Sequence, residues 1–209
     1  MIKKKSGKLF LIPLDFKLGF VIGKLMDFTG YSTFNGNVMY VYHTFFKDVP
    51  KESVISDIDK SGILFGPMCI NKKPNERGKG YWKLLKQFDV EECDPPVFKR
   101  TKYPHELLFA TDWSKVKGWK LYREFNYLSK EEFAYEGICK YETSHLYDKQ
   151  DVAIRATMHY LILSGKNVLE YYDLQIERLK FIYLPLVNTS FNQPERKKLI
   201  KIIKPLKYD

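Results

Sequence analysis

From residue 9 onward the chain alternates short apolar runs with polar breaks at a spacing that suits β-strands. Residues 9–14 are six apolar positions in a row, and Pro13 is compatible with a strand only near its end or on a sheet edge. After a turn at residues 15–18, Phe20, Ile22, Met26 and Phe28 share one parity, interrupted only by Lys24. Gly23 and Gly30 in that stretch predict a bulge or sharp bend. Asn35-Gly36 is a strong hairpin signal, because both residues tolerate positive φ. Residues 38–46 follow, rich in β-branched and aromatic side chains, and residues 63–70 and 80–88 complete about five strands. Short connections between bent strands point to a small antiparallel barrel or a strongly curled sheet.

The pattern breaks at residues 91–106. Glu91, Glu92 and Asp94 precede Pro95-Pro96, and then come Lys99, Arg100, Lys102 and Pro104, which reads as a linker. Beyond it, residues 119–128 and 133–141 predict two more strands. Residues 150–164 predict a helix with Ile154, Met158, Leu161 and Ile162 on one face, Asp148 and Asp151 at its start and Gly165 past its end. Residues 168–187 satisfy either a helical or a strand period. Pro194 can open a last short helix carrying Leu199, Ile202, Ile203 and Leu206. The expected fold class is therefore α+β and β-rich. Residues 1–90 form a β domain, 91–106 a linker-like segment, and 107–209 a second α+β part, separate or packed on the first as one domain.

Composition sharpens this in two respects. The 15 Tyr, 15 Phe and 3 Trp favour a pleated, half-buried surface, and the same rings suit protein interfaces. The net charge of +10 suggests nucleic acid until it is mapped. Four lysines fall in residues 1–8 and six Lys/Arg in residues 194–209, and the remainder holds 25 basic and 23 acidic residues, near +2. Basic ends on a near-neutral body predict only weak, non-specific nucleic-acid binding. Cys69, Cys93 and Cys139 are odd in number and widely spaced, which suits a reducing compartment. The apolar run after Lys3-Lys4-Lys5 is shorter than the roughly 7–15 residues of a cleavable signal. No stretch approaches the roughly 20 apolar residues of a membrane span. The expected location is the cytoplasm.

Motifs that carry chemistry are sparse. His43, His105, His145 and His159 never adopt a metal-binding spacing and no cysteine pair has zinc spacing, so neither metal nor cofactor is expected. Asp57-Ile58-Asp59 lacks the glycine and distal glutamate of a calcium loop and reads as a solvated turn. Arg77-Gly78-Lys79-Gly80 has phosphate-loop residue types without the spacing that would surround a phosphate, and reads as a hairpin turn. No Gly-x-Ser-x-Gly elbow occurs, so no catalytic residue is assigned. Asn188-Thr189-Ser190 is a formal glycosylation sequon, which carries no meaning at the expected cytoplasmic location. Trp82 shares parity with Leu84 and Phe88 and is a core residue by default. Trp113 and Trp119 stand in a polar, turn-rich context. Core packing is the ordinary role of such rings, but with Tyr81 they are the partner-binding candidates, because an exposed aromatic anchors an interface well.

Three segments then gain a common meaning. Phe10-Leu11-Ile12-Pro13-Leu14, Gly19-Phe20-Val21-Ile22-Gly23-Lys24-Leu25 and Gly80-Tyr81-Trp82-Lys83-Leu84-Leu85 together resemble the immunity protein 26 family. That family shows an "I-P-L" strand after a phenylalanine, a "G-x-G-[K/R]-[V/L]" strand and a later tryptophan strand. The resemblance covers about the first 90 residues. It implies a cytoplasmic protein that binds and neutralises a cognate bacterial toxin, delivered by contact or by a polymorphic toxin system. The other expectations are a nucleic-acid-binding barrel, and behind it a hydrolase with a dispersed site.

Overall fold

The apolar run at residues 9–14 becomes an inner strand of a six-stranded sheet. The computed structural model describes residues 5–29, 36–74, 82–90, 94–123 and 126–189. The chain divides into two units, residues 1–96 with 145–160, and residues 97–144 with 161–209.

In the first unit the strands are β1 (Lys5–Pro13), β2 (Phe20–Asp27), β3 (Asn37–Phe46), β4 (Ile63–Ile70), β5 (Lys83–Val90) and β9 (Leu146–Tyr147). They lie in the order β5-β1-β2-β3-β4-β9, antiparallel except for β9, which runs parallel to β4. The five strands expected in the first 90 residues are thus present. The barrel is not formed. Hydrogen bonding among the described residues ends at β5 and β9, so the sheet is open. The outer side of β4, which would have to meet β5 to close a barrel, instead receives β9, with Cys69 opposite Leu146 and Ile70 opposite Tyr147.

Register shifts bend this sheet at Leu9/Phe10 against β5, at Val21/Gly23 against β3, and twice in β3 against β4. Gly23 has no room for a side chain. A Cβ there would lie 2.8 Å from the Met39 Sδ and crowd Ile12 from the neighbouring strand. At the β1–β2 turn Gly19 adopts φ 112°, and its carbonyl accepts from the Leu14 amide at 2.9 Å.

Each face of the sheet has its own cover. Leu9, Leu11, Ile22 and Tyr42 pack with Ile58, which comes from a 3-10 turn (Ile58–Ser61) that follows the short helix α1 (Glu52–Ser56). Phe10, of opposite parity, meets Trp82 edge to face at 6.3 Å, and Trp82 is buried as its parity predicts. Helix α4 (Lys149–Leu163) lies within a residue of its expected bounds. Asp15 N–H donates to Thr157 Oγ1 at 2.9 Å, and Phe45 meets Tyr160 at 5.2 Å. Of the expected apolar face, Ile154, Met158 and Leu161 are buried, and burial extends further round the helix, residues 151–158 being buried throughout, Arg155 and Thr157 included. Thr157 can be buried because its hydroxyl donates to the Ala153 carbonyl at 2.8 Å while accepting from Asp15. Past the helix, Gly165 takes φ 70° and Lys166 N–H reaches back to the Leu161 carbonyl at 2.8 Å, the glycine stop that the sequence suggests.

The second unit holds a three-stranded antiparallel sheet, β6 (Phe98–Thr101), β7 (Trp119–Arg123) and β8 (Asn126–Tyr127), in the order β6-β7-β8. Short helices α2 (Glu106–Phe109) and α3 (Tyr135–Ile138) and the longer α5 (Glu177–Thr189) accompany it. Two expectations are corrected here. The segment 91–106 is not purely a linker, because Phe98, Lys99 and Thr101 are buried on β6 despite its charged neighbours. Residues 133–141 are not a strand. Only Phe133 bridges to Trp119, and the next turn coils so that Tyr135 and Ile138, three apart, both enter the core. The ambiguous stretch 168–187 resolves as a 3-10 turn (Val168–Glu170) and α5, with Pro185 inside the helix. The expected helix after Pro194 lies outside the described residues.

Candidate functional site

Among the described residues, polar chemistry gathers in two interior clusters and at the surface of the first unit. The first cluster surrounds Lys99, whose side chain β6 directs into the core of the second unit. Its Nζ lies 5.0, 5.6 and 5.9 Å from the ring centres of Tyr135, Trp113 and Trp119. It donates to the Cys139 carbonyl at 3.0 Å and to the Tyr135 hydroxyl at 3.4 Å. The negative ring faces and these oxygens replace the water that an ammonium loses on burial. Trp113 and Trp119 are each 1% exposed. Their indole N–H groups are also committed, Trp113 Nε1 to the Leu107 carbonyl at 3.4 Å and Trp119 Nε1 to the Trp113 carbonyl at 3.3 Å. The two candidate anchors are therefore brought together, but as the walls of a filled cage rather than at the surface. Tyr81, the third, lies outside the described residues, as does the turn at Arg77-Gly78-Lys79-Gly80.

The same unit is tied together by Asn188, which is fully buried on α5. Its Oδ1 accepts from the Trp113 amide at 2.9 Å, and its Nδ2 donates to the carbonyls of Leu184 at 2.9 Å and Thr111 at 3.2 Å. The formal sequon therefore has its asparagine inside the core.

The second cluster lies in the first unit. Arg155 is fully buried with its guanidinium 4.7 Å from the centre of the Phe65 ring, and Phe65 stacks on His159 at 5.0 Å with planes 8° apart. Burial, with the nearby Arg155 and His43, holds His159 well below the usual histidine range. Burial also pushes the Cys69 thiol up to about 12, which disfavours the thiolate. Among the described residues no group of three or more His, Cys, Asp or Glu side chains is placed to hold a metal ion. No described helix is long and apolar enough to cross a membrane.

The surface of the first unit is different in character. Asp59, exposed on the 3-10 turn, accepts a hydrogen bond from the Tyr42 hydroxyl and meets Lys24 Nζ at 3.4 Å. The Tyr42 bond, and then the nearby lysines, hold its carboxyl below the usual range, while burial and Asp59 push the Tyr42 phenol up. Lys24, which interrupts the apolar parity of β2, thus sits at the rim of the core with its ammonium on Asp59 and 5.2 Å from the Phe88 ring centre. Asp57 pairs with Lys60 at 2.8 Å, so the Asp57-Ile58-Asp59 turn is solvated but not idle.

Alongside α1 runs a groove of 330 Å³, lined by Val49, Pro50, Glu52, Ile55 and Ser56 from the α1 region and by Lys83, Leu84, Leu85 and Lys86 from β5. A second depression of 280 Å³ lies along Val54, Ile58 and Thr44. Val49 and Val54 are 50% and 41% exposed. The sequence offered no signal for this groove, because its two walls are some thirty residues apart and each reads as an ordinary loop or strand. No family model matches the chain, and no curated protein or solved structure matches it.

Proposed function

We propose that this chain is a non-catalytic binding protein of the cytoplasm that neutralises a cognate bacterial toxin domain, an immunity protein. One observation carries the reading. The described residues of the three segments that resemble the immunity protein 26 family fall largely on strands adjacent in space, β5, β1 and β2, with Phe10 opposite both Gly23 and Leu84. Segments separated by up to about 70 residues thereby lie side by side in one sheet, which supports reading them as parts of one scaffold. Inhibition of this kind requires a rigid surface and no chemistry. A stable specific interface buries roughly 1,200–2,000 Å², within reach of a sheet this size. The test is to express the toxin domain encoded beside this gene with and without the protein. Relief of killing and a co-eluting complex on gel filtration are expected. Unrelieved killing with no complex would remove the reading.

A second reading, weak nucleic-acid binding, draws on the small sheet of the other unit. Arg100 lies 5.2 Å from the Tyr122 ring centre, Lys120 lies 5.6 Å from that of Tyr127, and the two rings meet at 5.6 Å. Cations interleaved with an exposed tyrosine can follow a phosphate backbone and stack one base. Anisotropy of a labelled 20-mer DNA strand decides it. Binding lost between 50 and 200 mM salt marks a non-specific contact.

A further inference from the structure

We infer that the outer edge of β5 and the groove beside it form the docking site for an extended, acidic segment of a partner protein, which adds to the sheet as a seventh strand. The inference rests on the binding role proposed above and names the surface and the partner's chemistry.

The edge is the first argument. Among the described residues β5 pairs with β1 alone, so one row of its backbone N–H and C=O groups points away from the sheet. Natural sheets usually cover or blunt such an edge, and an added peptide strand satisfies both kinds of group at once. A phosphate backbone does not, because it carries only acceptors and would face the outward carbonyls.

Charge is the second. Lys83 and Lys86 are exposed and line the groove, against one exposed carboxylate there, Glu52, and neither lysine forms an ion pair among the described residues. The carboxylate that Lys86 approaches is Asp59, which Tyr42 and Lys24 already hold. With two cations against one carboxylate, the groove favours an acidic strand over a basic one. The third argument is the groove itself. Alternate side chains of an added strand point to one face, and Val49, Ile55 and Leu85 offer an apolar floor for them there. The occupant this describes alternates apolar residues with Asp or Glu.

Panning a phage library of random dodecapeptides on the wild-type protein and on the Lys83→Glu/Lys86→Glu variant tests this. Both lysines are exposed, so the variant should fold, and an unchanged melting temperature confirms it. Wild type should recover peptides that alternate apolar and acidic residues. A synthetic copy of the best one should slow hydrogen exchange at β5 amides and lose about tenfold in affinity to the variant. Lys115→Glu/Lys117→Glu, exposed in the other unit, should not weaken it. Peptides without acidic bias, equal binding to the charge-reversed variant, or protection of other strands would overturn the proposal. The toxin experiment separates the two ideas. If the charge-reversed variant still neutralises the toxin, the β5 site falls and the immunity role stands. If wild type binds the peptide at β5 but relieves no killing, the reverse holds.

Discussion

Lys99 donates to the Cys139 carbonyl at 3.0 Å from within a cage of three aromatic rings, so one interior ammonium fastens β6 to the end of α3. Truncating it leaves that carbonyl without its donor and opens a void between the rings. Lys99→Ala is expected to cost about 3 kcal/mol, while Lys99→Met, which refills the space, costs roughly half as much. Urea midpoints of the two variants check this, and equal losses would show that the void contributes nothing.

Tyr42 and Asp59 set up a dependence on pH. The carboxyl is held below its unfolded value, so its contribution is complete above about pH 4 and fades as the pH falls through the lower, folded value. Tyr42→Phe should cost about 0.5–1.5 kcal/mol at pH 7, toward the low end because Asp59 is largely in water. The gap between variant and wild type should narrow in acid. Titration of the Asp59 carboxyl by NMR should show its pKa rising in the variant.

His159 has the opposite logic from a surface histidine. Its folded pKa lies well below about 6.5, so the unfolded chain binds the extra proton first and stability falls as the pH drops below that value. Above pH 7 it contributes no slope. Its Nε2 has no hydrogen-bond partner among the described residues, so His159→Phe keeps the stack on Phe65 and loses no bond at that atom. The variant should unfold with a flatter dependence on pH between 5 and 6.5. An unchanged slope would place the titration elsewhere.

Asn188 joins three backbone segments, and no other side chain of its size can accept from Trp113 while donating to Leu184 and Thr111. Asn188→Ala should cost about 3 kcal/mol, and Asn188→Asp nearly as much, because the carboxylate brings no donor. Thermal unfolding of the two variants checks the comparison. A near-neutral Asp variant would mean that only the Trp113 contact matters.

Local periodicity made the large sheet legible. The parity of Phe20, Ile22 and Lys24 already contained the rim on which Lys24 meets Asp59, and Gly23 announced the irregularity beside it. Whether the strands would close was not legible, because closure depends on β9, a two-residue strand some 75 residues after β4, and nothing in Leu146-Tyr147 distinguishes it from a loop. The cage was hidden for a related reason. Lys99 stands in a run of charge that reads as solvated, and its burial follows from three rings supplied by distant segments. Trp113 and Trp119 stand in a polar, turn-rich context that reads as surface, whereas their placement is decided by what they surround. The β5 groove left no local trace, being made by two segments that meet only in the fold.

The division of the first unit into residues 1–96 and 145–160 bears on how the chain is made. A ribosome delivers five strands of the sheet and then the 64 residues from Val97 to Tyr160 before α4 can arrive. At about 5–20 residues per second that delay is roughly 3–13 s. Throughout it Phe45 and Phe65 lack Tyr160, Arg155 and His159, and the outer edge of β4 lacks β9. The nascent chain therefore carries an uncovered apolar face and two open strand edges at once. Holding the chain soluble through those seconds is a task for the translation machinery and its chaperones, and stalled chains of residues 1–96 should be the form in which this protein aggregates.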